Sequence, residues 1–144
     1  MALPLLQPTA HADVLDDGFS IVDTTLPGAR ECSTGATQPT VVNATIRGTG
    51  SISCTTRQAE LILTICIEAS PNGAPNSYVE VGCAPPQRKP NAFSITGGSH
   101  QVACAPEPAY YRTRAVGQAL GNDNEVNYFG TTFSARKLAG CPAL

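Results

Sequence analysis

Glu60-Leu61-Ile62-Leu63-Thr64-Ile65-Cys66-Ile67-Glu68 is the stretch on which the fold turns. Successive side chains of an extended chain point to opposite faces, so Leu61, Leu63, Ile65 and Ile67 share one face while Ile62, Thr64 and Cys66 share the other. Apolar residues on both faces predict a central strand covered from two sides. The run is far shorter than the ~20 apolar residues of a membrane-spanning helix, and no other stretch of the chain approaches that length.

Outward from this core strand, the period between Thr40 and Lys137 is two, the signature of half-buried strands. The expected strands are Thr40 to Arg47, Ser51 to Thr56, Glu60 to Glu68, Ser77 to Gly82, Ala92 to Thr96, Ser99 to Cys104, Tyr110 to Gly117 and Glu125 to Lys137. Turn chemistry separates them at Gly48-Thr49-Gly50, Pro71-Asn72-Gly73, Pro85-Pro86, Gly97-Gly98 and Gly121-Asn122-Asp123-Asn124. Short strands at this cadence predict an all-β fold, a two-sheet antiparallel sandwich of the immunoglobulin-like kind. In the Tyr110 strand, Tyr110, Arg112, Arg114 and Val116 fall on one face and Tyr111, Thr113 and Ala115 on the other, which predicts one wet and one buried side.

Six cysteines, an even number without a Cys-x-x-Cys pair and with only two His in the chain, predict three disulfides and no metal site. Hairpin partners lie equidistant from their turn. The midpoint of Cys104 and Cys141 falls inside Gly121-Asn122-Asp123-Asn124, and that of Cys66 and Cys83 inside the Pro71 to Asn76 loop. Each pair should staple its own hairpin, and Cys32 is left with Cys54. Each bond contributes about 2 to 4 kcal/mol by restricting the unfolded chain.

The chain has 144 residues, one ordinary domain, of which 14% are charged and 42% hydrophobic. A charge-poor, Thr-rich surface fits an exported protein. The net charge of −2 provides no footprint for a polyanion, which argues against nucleic acid. Ala10-His11-Ala12 closes an apolar stub with the small-x-small pattern of a signal-peptidase site, so residues 1–12 read as a truncated signal-peptide remnant. Residues 13–31 then read as an N-terminal arm or first strand, and residues 32–144 as the sandwich domain. The expected location is extracellular.

Gly48-Thr49-Gly50-Ser51-Ile52-Ser53-Cys54, the apolar strand holding Cys66, the Tyr78-Val79-Glu80-Val81-Gly82-Cys83 strand, and Cys104 followed by Tyr111 to Gly117 together resemble a group of small secreted, disulfide-bonded actinobacterial proteins. That largely uncharacterised group has immunoglobulin-like or fibronectin type III-like sandwiches, and the resemblance implies the same architecture here. The match runs from Gly48 to Cys141 and its motifs are structural. Fibronectin type III domains usually carry a core Trp, and this chain has none.

The catalytic inventory is thin. A hydrolase needs a nucleophile and a base to activate it; past the stub only His100 is available, and Ser99 and His100 are adjacent strand residues that point to opposite faces. Glu60, Glu68, Glu80, Glu107, Asp123 and Glu125 are expected at strand ends and turns, in water. Asp123 and Glu125 read as turn residues rather than a calcium site. Asn43-Ala44-Thr45 has the form of an N-glycosylation acceptor.

Three features read as candidate binding sites. Phe19 and Ile21 sit in an alternating arm that serves as the sandwich's own first strand or adds to a neighbour's sheet edge. Arg88 and Lys89 sit in the Pro-rich run Cys83 to Asn91, a polyproline II connector or a stiff basic loop of the kind a protease inhibitor presents. Tyr110, Arg112 and Arg114 form the Tyr and Arg pairing that interfaces favour. The expectation is a secreted, non-catalytic binding or adaptor module for an extracellular protein or glycan, without a cofactor, such as a subunit of a secreted toxin-type hetero-oligomer. A protease inhibitor and a cryptic secreted hydrolase are the alternatives.

Overall fold

A computed structural model describes residues 21–24 and 31–141. The described residues hold no α-helix and eleven strands: β1 (Ile21–Thr24), β2 (Cys32–Ala36), β3 (Thr40–Val42), β4 (Thr45–Arg47), β5 (Thr49–Ser70), β6 (Val79–Cys83), β7 (Gln87–Gly98), β8 (Val102–Ala103), β9 (Ala109–Leu120), β10 (Val126–Phe133) and β11 (Lys137–Ala139). They make two antiparallel sheets, one of eight strands and one of three, the latter in the order β3-β4-β8.

The axis of the molecule is β5, 22 residues long. Its first residues pair with β2 on one edge and with the end of β7 on the other, so that Ser51 faces both Gly35 and Thr96. The ladder with β7 breaks between Ser53 and Gln58. Past the break β5 pairs with β9 from Glu60 to Ser70, and on its other edge with the start of β7 and then with β6.

The two halves of β5 stack face to face, and the large sheet doubles over on itself. Ile52 from the first half lies in one apolar cluster with Leu61, Leu63 and Ile65 from the second, joined by Ala115, Ala119 and Tyr128. The approach is close enough to require glycine. A Cβ on Gly50 would lie 2.9 Å from the Cβ of Ala115, and one on Gly117 would lie 3.1 Å from Ile52 Cδ1. Two hydrogen bonds cross between the layers: Thr34 and Tyr128 join hydroxyls at 2.7 Å, and the Thr132 hydroxyl donates to the Thr34 carbonyl at 2.7 Å. Burial pushes the Tyr128 hydroxyl above its ordinary pKa.

The small sheet covers the far end of β5. Ile46 of β4 is fully buried against Ile67, Tyr111 and Cys104 in a second apolar cluster. Full burial contributes about 1.5 to 3 kcal/mol for each of the large aliphatic side chains of the two clusters.

The three disulfides join Cys32 to Cys54, Cys66 to Cys83 and Cys104 to Cys141, the last two as turn geometry predicts and the first as elimination leaves it. Cys32 and Cys54 are direct cross-strand partners on β2 and β5, as are Cys66 and Cys83 on β5 and β6. The third bond closes the open end of a hairpin whose returning arm is β10 followed by β11, both paired with β9.

Several strand boundaries differ from expectation. Ser51 to Thr56 and Glu60 to Glu68 belong to one strand, interrupted only by the break in its β7 ladder between Ser53 and Gln58, and Gly48-Thr49-Gly50 is a site of close approach to Thr113, Ile65 and Ala115 instead of a turn. Thr40 to Arg47 is a hairpin, turning at Asn43 and Ala44 with φ of 50° and 62°. Ala44 occupies a left-handed position that favours glycine, at a cost of about 1 kcal/mol or more. Gln87 to Asn91 is neither a connector nor a projecting loop but the first part of β7, where Arg88 pairs with Ile62 and Lys89 with Leu61. Pro90 is tolerated there because β7 is an edge strand. Gly97 and Gly98 end β7, and the strand expected at Ser99 to Cys104 shrinks to Val102–Ala103. Glu125 to Lys137 divides into β10 and β11.

Candidate binding surface

The outer face of the second half of β5 carries a polar and aromatic ladder. Glu68 lies opposite Arg112 on β9 and opposite Glu80 on β6. Its carboxylate is 8% exposed and takes the Arg112 Nε donor at 2.7 Å, with the Arg112 side chain 9% exposed. The other Glu68 oxygen accepts from Arg114 at 3.0 Å, and Arg114 also donates to Glu80 at 2.9 Å. Two carboxylates and two guanidinium groups thus neutralise one another at the sheet surface.

Aromatic rings close over this network. The Arg112 guanidinium lies 4.0 Å from the Tyr78 ring centroid and 4.1 Å from that of Phe133, sandwiched between them. Arg136 stacks on Tyr110 at 4.6 Å one step along the same face. A guanidinium placed over a ring is attracted by its π-electrons, and the attraction grows as water is excluded. Glu68 thus holds both Arg112 and Arg114, and the two rings lie over Arg112.

Of the residues singled out in the sequence, Tyr110, Arg112 and Arg114 come together in this ladder. The expected wet face is only partly wet, since Arg112 is buried and Tyr110 and Arg114 are half-buried. Glu68, expected at a strand end in water, is two residues from the end of β5 but buried, because that end is paired with β6 and β9 on both sides. Ile21 is the backbone partner of Phe133 at the edge of the same sheet, so that β1 pairs with β10 of its own chain. Phe19 lies outside the described residues.

Arg88 and Lys89 are elsewhere, exposed on β7, and Arg88 forms an ion pair with Glu60 at 3.2 Å. Tyr78 and Phe133 were missed in the sequence, and Glu68 and Glu80 not assigned to this site, because they come from β5, from β6 with the residue before it, and from β10, and only the register brings them together. The alternation in β9 was the one local signal.

His100 is exposed, in the link between β7 and β8. The Ser99 hydroxyl accepts from the Gly48 amide and donates to the His100 carbonyl, so it is committed to the backbone. Cys66, Cys83 and Glu80 lie close together, but both sulfurs are spent in a disulfide and offer no thiolate to a metal.

The opposite outer face, over the first half of β5, is lined by small hydroxyls. A shallow groove of 380 Å³ runs along Gly35, Thr37, Thr49, Ser51 and Thr96.

No protein-family model matches the chain, and no curated protein matches it. Among solved structures it is similar to a DUF3823 family protein from Bacteroides uniformis, at 9% identity over 76% of this chain and a TM-score of 0.37; the chain spans 56% of that protein. It is also similar to the putative ApaA protein from Bordetella pertussis, at 13% identity over 85% of this chain and 97% of that one, with a TM-score of 0.37. A protein from Archaeoglobus fulgidus is 15% identical over 78% of this chain and 98% of that one, at a TM-score of 0.34.

Proposed function

We propose that this protein is a secreted, non-catalytic binding or adaptor module with an immunoglobulin-like sandwich, and that it recognises an extracellular protein or glycan through the outer face around Tyr110, Arg112 and Arg114. The observation that carries the reading is the Arg112 guanidinium held between Tyr78 and Phe133 and tied to Glu68. A surface whose Arg and aromatic side chains are already fixed loses little conformational entropy on docking, which is where rigid contacts gain affinity. Three disulfides fit formation in an oxidising compartment. The actinobacterial kinship and the place in a hetero-oligomeric secreted assembly belong to the same reading.

The test presents the purified protein to a glycan array and to the extracellular fraction of its source, beside Tyr110→Ala and Arg114→Ala variants with an unchanged dichroism spectrum. Retention of a defined glycan or protein, weakened about tenfold or more in the variants, supports the reading. Retention that ignores both variants places the surface elsewhere. A strict monomer that holds nothing from either source ends the binding reading.

A further inference from the structure

The three disulfides sit in unlike surroundings. Cys32 and Cys54 belong to the first apolar cluster, and Cys104 and Cys141 to the second. Cys66 and Cys83 belong to neither. Cys66 is fully buried beneath the polar ladder, and Arg114 Nη2 donates to its Sγ at 3.4 Å. Cys83, on the edge strand β6, is half-buried.

We propose that Cys66–Cys83 is a reducible clasp, opened by a dithiol ahead of the other two bonds, which releases β6 from the edge of the outer face. Thiol exchange is faster when the departing sulfur is a stabilised thiolate, and a guanidinium in contact with the sulfur stabilises a thiolate where an apolar pocket disfavours it. Arg114 supplies that contact to Cys66 and outweighs the Glu80 carboxylate, which lies within 4.8 Å of both sulfurs and is itself paired with Arg114. One thiolate of the dithiol attacks the more accessible Cys83 Sγ. The disulfide breaks, and its electron pair leaves on Cys66 Sγ beside Arg114. The second thiol of the reductant, as its thiolate, then attacks the mixed disulfide and expels the Cys83 thiolate. Two electrons have passed to the protein, the reductant ends as a disulfide, and its two protons are left to the solvent or to the new thiols.

Apart from the bond, β6 is held by one ladder, one ion pair and the Tyr78 ring on Arg112 just ahead of it. Its backbone pairs with β5 alone, its Glu80 is held by Arg114, and Val79 and Val81 are exposed. The clasp stands or falls independently of the binding role.

The experiment exposes the oxidised protein to graded dithiothreitol, quenches with acid, alkylates the freed thiols and maps them by mass. The expected result is labelling of Cys66 and Cys83 roughly tenfold sooner than the other four cysteines, a lead kept by Arg114→Lys and lost in Arg114→Met. Earlier or simultaneous opening of either other bond overturns the proposal, as does a lead that survives Arg114→Met. A second measurement needs only the native sequence. With glutathione as a monothiol, the trapped adduct lies on Cys83 and the alkylated thiol is Cys66; the reverse assignment overturns the mechanism.

Discussion

Beyond Gln58 the two faces of β5 are buried by different means. Inward, Leu61, Leu63, Ile65 and Ile67 are wholly covered because the strand folds back over itself and the small sheet closes the end. Outward no second layer is needed: Cys66 is tied to Cys83, and Glu68 is covered by two arginines and, through Arg112, by Tyr78 and Phe133. The inner face tolerates loss in proportion to the volume removed. The outer face depends on a balance of charge, and one missing partner leaves another buried and unpaired.

The largest effect should come from Glu68→Ala, which strands the buried Arg112 and deprives Arg114 of one carboxylate. A loss of about 3 to 5 kcal/mol in denaturant-derived stability is expected. Replacing the set together, with Glu68→Leu, Arg112→Met and Arg114→Met, should recover most of it, since well-packed apolar groups replace a buried ion network at little cost. If the triple variant is as unstable as Glu68→Ala, the outer face is held by shape and not by charge balance.

On the inner face, Leu63→Ala should cost about 3 kcal/mol through lost burial and a cavity. A negligible change would mean that the two halves of β5 are not packed together as described.

Tyr128→Phe is smaller, about 1 to 2 kcal/mol, because it leaves the buried Thr34 hydroxyl without its partner. It also has a pH signature. Burial raises the Tyr128 pKa in the folded state above the ordinary value of 10.0, so the stability it brings is complete below that pH and is lost as pH rises through the native value. Alkaline unfolding curves should show this decline in the native protein and a weaker one in the Tyr128→Phe variant.

Smallest of all is Arg88→Ala. Its ion pair with Glu60 is 59% exposed on the Arg side, and a change under about 1 kcal/mol is expected. A larger loss would erase the distinction between the buried ladder and an exposed ion pair.

Much of this was readable along the chain, for a physical reason. Leu61 to Ile67 announce a buried strand because strand alternation is a local property. Turn symmetry placed Cys66 opposite Cys83, since a hairpin leaves its register little freedom. The Tyr110 to Val116 alternation sorted Tyr111, Thr113 and Ala115 to the inside for the same reason. Glu68 was misplaced because its burial depends on Arg112 and Arg114, 44 and 46 residues away. Gln87 to Asn91 was misread because Pro90, with Pro85 and Pro86 just ahead of it, and the charges of Arg88 and Lys89 describe a connector equally well as a guarded edge strand.

The amino-acid order by itself determined an all-β chain, which strands bury which side, and which thiols meet across a turn, since each depends on spacing over a few residues. Only the tertiary structure decided that β5 bends to serve both layers and that Arg112 is clamped between rings from β10 and the β6 approach. Those outcomes depend on register among strands far apart in sequence, which local alternation leaves open.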